Sequence, residues 1–144
     1  MRPIEILMVE DSPGDIRLTQ QALKEGKVKN NLFVVNDGGS ALEYLQHSGK
    51  YKNVTTPDLI LLDLNLPGKN GRSVLREVKA HPKLRKIPVV ILTSSENEED
   101  VTRTYELHAN CYIKKPVNLE QFMAVVKSVE DFWLTVVRLP KTRT

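Results

Sequence analysis

The stretch Pro57-Asp58-Leu59-Ile60-Leu61-Leu62-Asp63-Leu64-Asn65-Leu66-Pro67-Gly68-Lys69-Asn70-Gly71 decides the fold. It opens as a continuous apolar run, Leu59 to Leu62, bounded by turn residues. Such a run reads as a strand covered on both faces, as in a parallel sheet. It stops on a carboxylate, Asp63, and turn chemistry follows at once in Leu66-Pro67-Gly68 and Asn70-Gly71. Asp63 is therefore expected at the carboxyl end of a buried central strand, where open α/β sheets bind their ligands. A buried acid needs a partner. The bland alternative is a structural Asp that caps the following loop.

Working outward, Ile4 to Val9 reads as a first strand that runs into two adjacent acids, Glu10 and Asp11. Ser12 is placed to cap a helix whose first residue is Pro13, with Asp15 in the first turn. Ile16, Leu18, Ala22 and Leu23 supply part of its apolar face, and Gly26 ends it. Leu32 to Val35 is a short second strand, and Asp37-Gly38-Gly39 turns the chain. Ala41, Leu42, Tyr44 and Leu45 mark the second helix, with Gly49 as its C-cap, and a polar loop leads to the central strand. Val74, Leu75 and Val78 give a third helix ending near His81-Pro82. Ile87 to Leu92 is another buried strand, ending in Thr93-Ser94-Ser95. Glu96, Glu98, Glu99 and Asp100 crowd the start of a fourth helix, where its dipole favours them. Cys111 to Lys114 is a short fifth strand, followed by Lys115-Pro116. Leu119, Phe122, Val126, Val129, Trp133 and Val136 recur at helical spacing in a long last helix.

Strands alternating with helices in this way predict a doubly wound, five-stranded parallel sheet. All strands of a parallel sheet point the same way. Glu10-Asp11, Asp63, Thr93 and Lys115 then gather at one edge. Clustered carboxylates repel one another and suit a hard divalent cation, Mg²⁺. A carboxylate, a hydroxyl and a lysine beside that cation form a site for a phosphoryl group, with Asp63 able to act as nucleophile. Singly these residues are ordinary: acidic turns cap helices, strand-end threonines are structural, and a lysine before proline lies on the surface.

Length and composition set the outer bounds. The chain has 144 residues, 40% of them hydrophobic and 27% charged, as in a soluble globular domain. Residues 1–140 are expected to form one domain and residues 141–144 a short basic tail. No apolar run approaches the ~18 residues of a membrane span, and no signal peptide is expected. A single cysteine, Cys111, fits a cytoplasmic setting. The net charge of +3 comes from scattered basic residues, so neither nucleic acid nor membrane is an expected partner.

The motifs Val9-Glu10-Asp11, Leu62-Asp63-Leu64-Asn65-Leu66-Pro67 with Asn70-Gly71, Leu92-Thr93-Ser94 and Lys114-Lys115-Pro116 together resemble the response-regulator receiver domain of two-component signalling. The resemblance spans nearly the whole chain. It implies a flavodoxin-like fold with strand order 2-1-3-4-5, and an extended C-terminal helix is expected here. It further implies that Asp63 is the phosphoacceptor, and that Asp11, Asp63 and the backbone carbonyl of Asn65 bind Mg²⁺ directly, with Glu10 acting partly through water. Thr93 would be the switch hydroxyl, Lys115 the phosphate-binding lysine and Tyr112 the switch aromatic. Ser12 to Leu18, Tyr105 to Tyr112 and Asp131 to Pro140 look like the single-domain regulators paired with bacterial phytochrome histidine kinases. A histidine kinase is then the implied phosphodonor and a protein surface the implied output. Val125, Phe132 and Val137 widen the apolar face of the last helix. A homodimer through the fourth helix, fifth strand and last helix is expected, against the alternative that Phe132 and Trp133 pack on their own domain.

Two other classes fit the sequence less well. A phosphatase acting on free substrates is disfavoured because position 65 is Asn, so no Asp-x-Asp pair is present. A nucleotide or flavin module is disfavoured because the first turn, Glu10-Asp11-Ser12-Pro13-Gly14, is acidic and lacks the G-x-G-x-x-G loop.

Overall fold

The computed structural model describes residues 3–25, 29–66, 70–93 and 111–114, with two further helical positions at 120 and 124; at 93 and 111–114 it describes the backbone. The elements run β1 (Ile4–Val9), α1 (Pro13–Glu25), β2 (Asn30–Val35), α2 (Gly38–Leu45), β3 (Leu59–Asp63), α3 (Gly71–Ala80), β4 (Val89–Thr93) and β5 (Cys111–Lys114). The five strands form one sheet in the order β2-β1-β3-β4-β5, parallel throughout. This is the flavodoxin-like receiver topology anticipated from the sequence. The fourth helix expected from the sequence lies outside the described residues, and of the last helix only positions 120 and 124 are described, both helical.

Every residue of β3 is buried, because helices cover both faces of the sheet. Side chains alternate across a strand, so the core divides in two. Leu7, Val9, Ile60, Leu62, Val89 and Ile91 pack with Leu42, Leu45, Val74, Leu75 and Val78 of α2 and α3. Ile6, Met8, Leu59, Leu61, Val90 and Leu92 pack on the other face with Ala22 and Leu23 of α1. Register is anchored at the start of β3. Asp58 Oδ2 accepts from the Glu5 N–H at 2.9 Å, and the Asp58 N–H donates to the Glu5 carbonyl at 2.7 Å.

The helix starts follow their caps. Ser12 Oγ accepts from the Asp15 N–H at 3.3 Å and Pro13 opens α1. Asp37 Oδ1 accepts from the Ser40 N–H at 2.7 Å, and Asn70 Oδ1 from the Ser73 N–H at 2.9 Å. Gly38 and Gly39 therefore belong to the first turn of α2 rather than to a separate turn.

Three local expectations are corrected. Leu18 is 45% exposed and does not face the core; its place on the inner side of α1 is taken by Thr19, whose hydroxyl donates to the Asp15 carbonyl and so needs no water. The C-cap of α2 is Gln46, not Gly49. The left-handed residue that closes this helix is His47, at φ 55°, while the Ser48 N–H donates to Glu43 and the His47 N–H to Tyr44, a Schellman closure without glycine. Tyr51, in the loop read as polar, is buried, as is Tyr44 of α2. Their rings lie 5.3 Å apart between centroids, and Phe33 of β2 covers both at 4.8 and 6.2 Å. The polar-looking loop after α2 thus contains a 3₁₀ turn, Gly49–Tyr51, that delivers an aromatic ring to the core.

Candidate functional site

The site is a consequence of sheet order. The chain leaves β1 toward β2 on one side and returns as β3 on the other, so β1 and β3 are neighbours at the point where the winding reverses. Such a point is where doubly wound sheets hold ligands. Val9 pairs with Leu62, which sets Glu10 beside Asp63 as each strand ends. Asp63 pairs in turn with Leu92, so Thr93 follows directly on the far side. Thr93 is opposite Lys114, the residue before Lys115.

Glu10, Asp11 and Asp63 each present a carboxylate oxygen within 4.8 Å of the other two. Glu10 is 0% and Asp63 2% exposed, whereas Asp11 opens to solvent. Two buried carboxylates side by side are costly unless their charge is offset. Part of the offset is built into the backbone. Glu10 Oε2 accepts from the N–H groups of Asp11 at 3.0 Å and Ser12 at 3.3 Å, at the start of α1. Asp63 Oδ1 accepts from the Asn65 N–H at 3.1 Å, which turns the chain immediately after the strand. An all-oxygen donor set of three acids, buried on two sides and open on one, fits a hard divalent cation that keeps part of its water.

The loop beyond Asp63 is closed by tight packing. The Gly71 N–H donates to the Leu64 carbonyl at 3.2 Å. A Cβ at Gly71 would lie 2.7 Å from Leu64 Cα and would strike the Asp63 carbonyl oxygen. Glycine is required here by close approach, not by an unusual backbone angle.

The sequence-predicted residues Glu10, Asp11 and Asp63 are thus brought together, with Asn65 two positions on. Thr93 and Tyr112 are positioned through their backbones, Tyr112 opposite Ile91. Lys115, Val125, Phe132 and Val137 lie outside the described residues. One contact escaped the sequence reading. Asn36 Nδ2 donates to the Glu10 carbonyl at 3.0 Å from the β2–α2 connection. Asn36 carries no sequence signal, being one polar residue before the Asp-Gly turn.

The fold and the acidic edge define a class, and the chain belongs to it: the response regulator receiver domain family matches residues 6–127. Among individual proteins, the chain is 51% identical over 138 residues to Response regulator Rcp1 of Synechocystis sp., covering 96% of this chain and 94% of that protein. The crystal structure of the phosphorylated cyanobacterial phytochrome response regulator RcpA aligns with a TM-score of 0.80 at 50% identity, over 92% of this chain and 95% of that one. The Mn²⁺-bound form of Rcp1 aligns with a TM-score of 0.80 at 50% identity, over 93% and 96%. Among the described residues no helix is long and apolar enough to cross a membrane.

Proposed function

We propose that this protein is a phosphorylation-controlled switch in a phosphorelay, with Asp63 as the residue that accepts the phosphoryl group. The observation that carries the reading is the convergence of Glu10, Asp11 and Asp63 at the reversal point of the sheet. Glu10, Asp11, Asp63 and the Asn65 backbone carbonyl would hold Mg²⁺, which when bound offsets the charge of the carboxylates and of the incoming phosphoryl oxygens.

The chain's own part is positioning. The Asn65 N–H pins one oxygen of Asp63 and so orients the carboxylate toward the open side of the site. An Asp63 oxygen forms the new bond to phosphorus as the bond to the donor's imidazole nitrogen breaks. The imidazole leaves with a proton from solvent, and Asp63 becomes an acyl phosphate. The added charge of about −1.5 to −2 and three acceptor oxygens then draw on Thr93 and Lys115 as hydrogen-bond donors, and Tyr112 follows the Thr93 movement.

The donor we propose is a histidine kinase of the phytochrome type, supported by the likeness to Rcp1 and RcpA. The output is a protein surface, a homodimer through the fourth helix, fifth strand and last helix with Val125, Phe132 and Val137 in the contact. The setting is cytoplasmic and the catalysis extends only to the protein's own phosphorylation and hydrolysis.

Intact mass after incubation with Mg²⁺ and acetyl phosphate tests the core of this reading. One Mg²⁺-dependent phosphoryl adduct is expected, absent from Asp63→Asn. Turnover of a small phosphate ester beyond one equivalent would instead indicate a metabolic phosphatase. Light scattering with and without the phosphoryl group tests the dimer, which fails if the mass stays monomeric at high concentration.

A further inference from the structure

We infer that Asn36 is a positioning residue for the acidic site, acting through the peptide unit that joins Glu10 to Asp11. The inference rests on the reading of Glu10, Asp11 and Asp63 as a divalent-cation site. That peptide unit is held at both of its polar ends. Its carbonyl, belonging to Glu10, accepts from Asn36 Nδ2 at 3.0 Å. Its N–H, belonging to Asp11, donates to Glu10 Oε2 at 3.0 Å. One plane is therefore clamped between a side chain of the β2–α2 connection and the side chain of a buried acid.

The consequence falls on Asp11. Of the three acids it alone is exposed, so its carboxylate is the least held by packing. Its direction follows from the orientation of the preceding peptide plane. The Glu10 N–H is bonded to the Val35 carbonyl at 3.0 Å, so the plane before Glu10 is already tied to the end of β2. The plane after it is the next free torsion, and Asn36 closes it. Removing the amide leaves the Glu10 carbonyl to water and permits the plane to rotate. Rotation swings Asp11 away and takes the Asp11 N–H off Glu10. Two of the three acids would be disturbed by the loss of one exposed side chain whose bond is to a backbone carbonyl rather than to a carboxylate.

Asn36 is solvent-exposed, so Asn36→Ala opens no core cavity. Such a variant separates positioning from stability. Mn²⁺ binding, followed by the electron paramagnetic resonance signal of the free ion, is compared in wild type, Asn36→Ala and Asp11→Asn, beside thermal unfolding without metal. Asn36→Ala is expected to weaken Mn²⁺ binding about tenfold, the low end of what residues behind metal ligands cost, with little change in the metal-free Tm. In phosphorylation by acetyl phosphate, half-saturating Mg²⁺ should rise by the same factor while the rate at saturating Mg²⁺ is retained. If Asn36→Ala binds Mn²⁺ like wild type while Asp11→Asn does not, Asn36 has no positioning role and the acidic site stands. If affinity falls only in step with the metal-free Tm, the residue is structural and the inference is overturned. If wild type itself binds no Mn²⁺, the cation reading fails and the inference fails with it.

Discussion

Gly71 packs directly on the backbone of Asp63: the carbonyl oxygen of the strand's last residue occupies the space that a side chain at Gly71 would need. The first turn of α3 therefore backs the acidic loop, and the two cannot be moved apart independently. Gly71→Ala is expected to cost about 1–3 kcal/mol, the usual price of overpacking a well-filled site. Urea unfolding should show a lower midpoint with an unchanged slope. Because the displaced atoms belong to Asp63 and Leu64, phosphoryl adduct formation should slow in the same variant.

Three acids whose oxygens lie within 4.8 Å repel one another when no cation is present. Mg²⁺ should therefore raise Tm, since a ligand that binds only the folded state at 100 times its Kd adds about 2.7 kcal/mol. For a chain of this length that is roughly 5–10 °C. Asp11→Asn or Asp63→Asn should leave the metal-free Tm equal or higher, by removing one repelling charge, and should lose most of the Mg²⁺ response. Differential scanning fluorimetry with and without Mg²⁺ reads both effects. A metal-free Tm that falls sharply in either variant would mean that the acids stabilise the fold by contacts rather than strain it.

His47 closes α2 at φ 55°, a conformation that costs a non-glycine residue roughly 1–2 kcal/mol. It recovers part of this through a 2.9 Å hydrogen bond between Nε2 and Thr56 Oγ1. An exposed neutral hydrogen bond contributes about 0.5–1.5 kcal/mol. His47→Gly should accordingly be neutral to stabilising by up to about 1 kcal/mol, measurable by urea unfolding. A loss above that would show the His47–Thr56 bond to be the stronger term.

Burial pushes the Tyr44 phenol above its ordinary value of 10.0, with Glu5 and then Tyr51 adding to the shift. The folded chain keeps this proton after the unfolded chain has released it. The stability that Tyr44 contributes through this proton is therefore whole below pH ~10 and is lost as pH rises through the raised folded value. Tyr44→Phe should flatten the fall of the urea midpoint above pH ~10, and absorbance at 295 nm should show wild type losing one tyrosine proton above pH ~10 that the variant lacks.

Much of this architecture was legible because its signals are local. The apolar run Leu59 to Leu62, the cap Ser12 and the acids at strand ends each name their own structure within a few residues. The same locality explains the misses. Leu18 looked like a core residue because hydrophobicity says nothing about which side of α1 meets the sheet. Gly49 looked like a C-cap because glycine tolerates positive φ at least cost, yet the chain closed α2 two residues earlier on His47, where the Thr56 contact offsets the strain. Tyr51 looked like a loop residue because the 3₁₀ turn that buries it has no periodicity of its own.

The sequence by itself determined which residues end the strands and what chemistry they carry. That follows from residue type and from the alternation of strand and helix, both short-range properties. Only the tertiary structure decided that Glu10 stands beside Asp63, since this depends on β1 and β3 pairing across more than fifty residues with Val9 opposite Leu62. It alone decided that Gly71 must be glycine and that Asn36 reaches the Glu10 carbonyl. The Asn36 contact joins segments 26 residues apart and exists only once the sheet has assembled; the Gly71 contact is the β3–α3 loop closing on its own backbone, a close approach that residue type alone does not reveal.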